Sequence, residues 1–190
     1  MRLMVFGKHI NKKPRCFVKR IPVKKIAYSA VVAAMYFALT LLLQPISFGP
    51  VQFRLSEALV MLPYIMPESI LGITIGCAAA NAFSTFPVYD VIFGSLATLI
   101  AGILTSKIKN AWLAGLPPVL LNALVLPLMW YLLGTDAAYW VNLISITLSE
   151  AVVIFFIGVP LVLLIKKKVP SLVTRKAFLD ETPADETKEN

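Results

Sequence analysis

Between Ile26 and Ile165 only eight formal charges interrupt 140 residues: Arg54, Glu57, Glu68, Asp90, Lys107, Lys109, Asp136 and Glu150. A charge at the centre of a bilayer costs about 2.5–3.5 kcal/mol on insertion scales, so a chain this sparing of charge is suited to lipid. The apolar stretches are continuous, which points to helices. The strands of a membrane β-barrel instead alternate in polarity over segments of about ten residues. A helical span takes about 20 residues, so 190 residues hold five or six spans and no large soluble domain. The hydrophobic share of 58%, against roughly 45–50% in soluble domains, agrees with an integral membrane protein.

The net charge of +8 is distributed as a topology signal. Nine of the 18 basic residues precede Ile26, and Lys166, Lys167, Lys168, Arg175 and Lys176 follow the last apolar run. Basic flanks mark the cytoplasmic side of a span, so the charge does not indicate nucleic-acid binding. Residues 1–25 form a basic cytoplasmic segment, 26–168 the membrane domain, and 169–190 a polar tail expected to be disordered. The first 25 residues lack the apolar region of a cleavable signal peptide, so the first span is expected to remain as an anchor. Cys16 and Cys77 fall in the basic segment and in a span, which argues against a disulfide.

Six spans fit the charges best. They are expected at about Ile26–Leu43, Ser56–Ile65, Glu68–Phe83, Asp90–Ser106, Trp112–Leu133 and Tyr139–Ile165. Pro63 and Pro67 interrupt the stretch from Leu55 to Phe83, because proline removes a backbone donor and clashes with the preceding turn. Pro67-Glu68-Ser69 reads as a helix restart. Six spans put the N-terminal segment, Lys107 with Lys109, and Lys166 to Lys168 on one side, with both termini cytoplasmic. Arg54 is then the one basic residue outside that set.

The remaining polar groups are the candidates for chemistry. Arg54 and Glu57 lie three apart between the first two spans. On a helix they share a face and form an ion pair, or they belong to a lid over a ligand. Glu150 lies about eleven residues into the last span, roughly 16 Å along it, where a carboxylate needs a partner or a polar cavity. Asn81, Asn122 and Asn142 are interhelical glue or ligand contacts. Asp90 is a helix-start acid or a site residue. In the six-span layout Arg54, Glu57, Asn81, Asp90, Asp136 and Asn142 share the outer half, with Asn122 and Glu150 at its floor. Phe86, Tyr89, Trp130, Tyr131, Tyr139 and Trp140 ring the same side, mostly as an interfacial belt, with one or two able to stack on a flat ligand, Trp140 among the candidates.

Two stripes of small residues repeat every four positions: Ala30, Ala34 and Ala38 on the first span, and Gly72, Gly76 and Ala80 on the third. Such stripes let helices approach closely, within the chain or against a membrane partner. No phosphate-binding loop, nucleophile elbow or metal-ligand spacing occurs. An enzyme here would have to work with carboxylates alone, and no cofactor is expected.

At this point the chain resembles the QueT family, the queuosine-precursor substrate-binding (S) components of energy-coupling factor (ECF) transporters. The resemblance covers about Lys24 to Lys168. It rests on VQFRLSEAL (Val51–Leu59), IGCAAAN (Ile75–Asn81), DVIFGSLATL (Asp90–Leu99), LPPVLLNA (Leu116–Ala123) and the stretch from Ser149 to Leu161, with Glu150 and Gly158-Val159-Pro160-Leu161. It implies a six-helix, all-α bundle in a bacterial plasma membrane, with an outward-facing site capped by the loop after the first span. The implied partners are a transmembrane coupling subunit, which would contact Ala30, Ala34 and Ala38, and two ATPase subunits. The implied ligand is a 7-deazaguanine such as preQ0, preQ1 or queuine. Glu150 or Glu57 would meet its donor edge, Asn122 or Asn81 its carbonyl, and Asp90 the aminomethyl group of preQ1. The alternatives are an S component for another vitamin, a stand-alone proton-coupled carrier and a membrane enzyme.

Overall fold

The computed structural model describes residues 23–49, 52–134 and 138–173. Asp136, the residues before Val23 and the acidic tail from 174 onward lie outside that set, and so do the expectations placed on them.

Among the described residues, six apolar helical segments of ten residues or more make an all-α bundle. Four are long and apolar enough to cross a membrane: α1 (Val23–Leu42), α4 (Pro87–Lys107), α5 (Leu113–Leu132) and α6 (Tyr139–Lys168). Two are shorter, α2 (Leu55–Tyr64) and α3 (Ser69–Asn81). Proline explains the division in the middle. Pro63 lies inside α2, and the chain turns at Ile65–Glu68 before α3 restarts at Ser69, whose hydroxyl donates to the Met66 carbonyl at 2.7 Å.

α2 departs from the expected geometry. All ten of its residues are wound as a 3₁₀ helix, an uncommon length for that winding. It occupies the centre of the bundle and touches each of the other five helices, which follow around it in the order α1, α3, α4, α5, α6. Leu59, Val60, Met61, Leu62 and Ile65 join Tyr36, Ile73, Cys77, Ala101, Ile154, Val159 and Val162 in the main apolar core. A second cluster, Ala123, Leu126, Met129, Trp130 and Ile146, joins α5 to the first half of α6.

The two small-residue stripes have different uses. On α3, Gly72 and Gly76 are buried against α1, and a Cβ at Gly76 would sit 2.7 Å from the Ala33 carbonyl oxygen and 2.9 Å from the Tyr36 Cβ. On α1 the buried residues are Val32, Tyr36 and Thr40. Ala30, Ala34 and Ala38 are offset from these by two positions, about 200° around the helix, and lie exposed on the outer surface. Gly76→Leu is therefore expected to cost about 1–3 kcal/mol of overpacking, read as a lower melting temperature in detergent. Ala34→Leu should melt like the parent. Equal effects at the two positions would mean that the α1–α3 contact is not as described.

The basic residues gather at one end of the bundle. The Tyr64 hydroxyl donates to the Lys109 carbonyl at 3.1 Å, and the Lys166 ammonium lies 5.7 Å from the centre of the Tyr64 ring. Lys25, at the start of α1, lines one groove with Glu68, at the α2–α3 turn. The start of α1 and the end of α6 thus share an end with Lys107 and Lys109.

Candidate functional site

Toward the other end, side chains from all six helices form one buried polar cluster. Glu57, in the first turn of α2, is 2% exposed, and its Oε1 accepts from the Tyr36 hydroxyl of α1 at 2.5 Å. A turn away on α1, the Thr40 hydroxyl bonds to that of Ser56 at 2.7 Å and donates to the Tyr36 carbonyl. Glu150, 5% exposed on α6, accepts from the Asn122 side-chain amide of α5 at 3.0 Å. Asn122 also lies near Glu57, so it stands between the two carboxylates.

Arg54 does not pair with Glu57 in the manner that their spacing suggests. The reason is local: Arg54 is extended (φ −101°, ψ 101°), and the helix begins only at Leu55. Its guanidinium turns instead to α3, where Nη1 donates to Asn81 Oδ1 at 2.9 Å, with a longer Nε contact to the Ser47 carbonyl at 3.4 Å. It lies over the Phe48 ring, 4.8 Å from its centre. Asn81 passes the connection on, donating to the Asp90 carbonyl oxygen at 2.9 Å. Gly94 makes this approach possible, because a Cβ there would sit 2.7 Å from Asn81 Nδ2.

Asp90 is not a helix cap. It opens a π-helical turn, Asp90–Gly94, and its Oδ1 accepts from the Trp130 indole at 3.0 Å. A second π-helical turn, Val153–Gly158, follows Glu150 closely. Such wide turns inside α-helices often accompany functional sites, and here each adjoins an acidic member of the cluster.

The cluster leaves specific atoms bare. Arg54 Nη2, Glu57 Oε2 and Glu150 Oε2 are buried and have no hydrogen-bond partner. Each such atom costs about 1–3 kcal/mol or more. One donor and two acceptors left open together are the arrangement a ligand with complementary edges would satisfy.

A cavity of about 320 Å³ adjoins the cluster, lined in part by Phe48, Gln52, Phe86, Asp90, Trp130 and Asn142. Two of its walls touch cluster residues: Phe48 carries Arg54, and the Gln52 carbonyl accepts from Ser149, next to Glu150, at 3.4 Å. Gln52 holds a left-handed φ of 49°, which costs a non-glycine residue roughly 1–3 kcal/mol.

Of the residues singled out from the sequence, Arg54, Glu57, Asn81, Asp90, Asn122 and Glu150 are brought together, and half-buried Asn142 lines the adjoining cavity. Trp140 is not brought in. It is 71% exposed and packs edge-on against Tyr139. Trp130, grouped above with the interfacial ring, is the buried indole that meets Asp90. Sequence reasoning also missed Tyr36. Its spacing from Val32 and Thr40, opposite the alanine stripe, is the signal that marks it as inward. Among the described residues no group of three His, Cys, Asp or Glu side chains is placed to hold a metal ion.

Comparison with known proteins gives two matches. The profile described as QueT transporter matches residues 26–167. The Queuosine precursor transporter QueT of Lactococcus lactis subsp. cremoris (strain MG1363) is 41% identical over 85 residues, 44% of this chain and 50% of that protein. The chain thus aligns with half the length of this curated relative. No solved structure matches the chain.

Proposed function

We infer that this chain, which belongs to the QueT transporter family, is the substrate-capture subunit of an ECF-type importer, binding a 7-deazaguanine queuosine precursor. The observation that carries this reading is the bare set Arg54 Nη2, Glu57 Oε2 and Glu150 Oε2 in one buried cluster. A guanine-like edge presents adjacent N–H donors beside a carbonyl acceptor. Carboxylates suit the donors and a guanidinium suits the acceptor, by the logic that operates in base recognition. The Lactococcus lactis relative, a queuosine precursor transporter, supports the same ligand class.

The membrane layout proposed is six spans in a bacterial plasma membrane, with both termini cytoplasmic. The gathering of Lys25, Lys109 and Lys166 at one end supports it, because basic residues favour the cytoplasmic side. The polar cluster then opens outward. Energy comes from separate ATPase subunits through a transmembrane coupling subunit, in keeping with the lack of a phosphate-binding loop in the sequence. The exposed Ala30, Ala34 and Ala38 face of α1 is the surface offered to that coupling subunit.

Two experiments test the reading. Mass spectrometry of the small molecule that co-purifies with the chain should identify a 7-deazaguanine, and a different vitamin there would overturn the ligand assignment. Ala34→Trp should stop uptake by the assembled importer while leaving the affinity of the isolated chain unchanged. Uptake by the chain alone, driven by a pH gradient without ATP, would favour a stand-alone carrier.

A further inference from the structure

Glu57 lacks a side-chain donor on its own helix. The 3₁₀ winding of α2 brings every third residue onto one edge, so apolar Val60 lies next along from Glu57, and Arg54, three residues earlier, is extended and turned to Asn81. The Tyr36 hydroxyl of α1 reaches across instead and donates to Glu57 Oε1 at 2.5 Å. An ionised carboxylate only accepts, through its two oxygens. With Oε1 engaged, the group is fixed and Oε2 is left buried and bare. Tyr36 is itself held firmly. It is 0% exposed, and Gly76 of α3 approaches so closely that a Cβ there would sit 2.9 Å from the Tyr36 Cβ. One turn along α1, the Thr40 hydroxyl donates to the Tyr36 carbonyl and bonds to the hydroxyl of Ser56, next to Glu57. α1 thus grips two successive residues at the start of α2, and the phenol enters the cluster as a rigid donor.

We propose that Tyr36 is a positioning residue, which acts through Glu57 by holding its carboxylate so that Oε2 is aimed at the ligand as an acceptor. This role rests on the capture reading above. A group that recognises a ligand has to be held within about 0.5 Å and 10–20° of its working geometry by neighbours that are themselves locked. The Glu57 side chain turns about several single bonds, and the Tyr36 hydroxyl is what stops it. Phenylalanine at position 36 keeps the ring and its packing against α3 but removes the donor. The carboxylate is then free to turn, and the ligand has to order it on binding, at a cost in affinity.

The test is a double-mutant cycle read by equilibrium titration of the purified full-length chain with an aminomethyl-7-deazaguanine. The four proteins are the parent, Tyr36→Phe, Glu57→Gln and the double variant, each titrated below its own melting temperature. Tyr36→Phe should weaken binding by about tenfold, the scale of one hydrogen bond to a charged group. Glu57→Gln should weaken it further. The double variant should bind as Glu57→Gln does, because no carboxylate remains to be aimed. Glu57→Asp gives a second background, measurable if glutamine binds too weakly to titrate. Its shorter arm withdraws the carboxylate from Tyr36, so Tyr36→Phe should again add no loss. A Tyr36→Phe variant that binds like the parent would overturn the role and leave the capture reading intact. So would a tenfold loss that persists in the glutamine or aspartate background, which would mark Tyr36 as part of the general packing. Failure of the parent itself to bind the ligand would sink the capture reading and this role with it.

Discussion

Glutamine at position 150 is expected to abolish ligand binding while the protein folds and melts as before. The substitution keeps the size of the side chain and leaves an oxygen to accept from Asn122, which now bonds to Glu150 at 3.0 Å. The change falls on the other oxygen. Glu150 Oε2 is buried without a partner, and the amide would replace this acceptor by a donor. A ligand offering N–H groups there meets N–H in return. Sites built to hydrogen-bond a particular group reject a mismatch strongly, and a bond to a charged group contributes about 1.5–3 kcal/mol. Affinity should fall about 100-fold or more, measured by titration of the purified chain. An unchanged affinity would take Glu150 out of the site. A parallel collapse of the melting transition would instead mark it as a structural residue.

The largest effect on stability should come from Arg54→Met. Methionine retains much of the apolar stem, so the loss is chiefly that of the charge and its donors. Among the described residues Arg54 is the one cation buried in a cluster with three carboxylates, Glu57, Asp90 and Glu150. Removing the cation leaves buried negative charge uncompensated, at a cost on the order of 3 kcal/mol. Asn81 Oδ1 also loses its donor. A double-mutant cycle separates the causes. Glu57→Gln should recover part of the stability lost in Arg54→Met, since it removes one of the charges left stranded. Strictly additive losses would show that Glu57 does not feel Arg54.

The long helices were legible because lipid imposes a length on apolar runs, and the Pro63 and Pro67 breaks were legible because proline cannot continue a backbone ladder. The membership of the cluster was largely legible too, since a polar group in a lipid-facing chain needs a reason to be there. The partners within the cluster were not. The three-residue spacing of Arg54 and Glu57 implies a shared face only if both are helical, and Arg54 is extended. The winding of α2 as a 3₁₀ helix is imposed by its surroundings and leaves no mark in the apolar pattern. Trp130 and Trp140 look alike as interfacial aromatics. Trp130 falls on the face of α5 that also buries Asn122 and Leu126, whereas Trp140 turns outward from α6. Helical periodicity from Asn122 was the signal that separates them.

Every residue of α2 from Ser56 to Tyr64 is buried, so this segment keeps no side for lipid. Its neighbours supply what a bilayer cannot, such as the Tyr36 hydroxyl held against Glu57, and lipid offers a carboxylate no substitute. During biogenesis α2 is therefore the segment least able to rest in the membrane by itself. It settles only as later-synthesised helices close around it, so the recognition element is completed at the end of assembly.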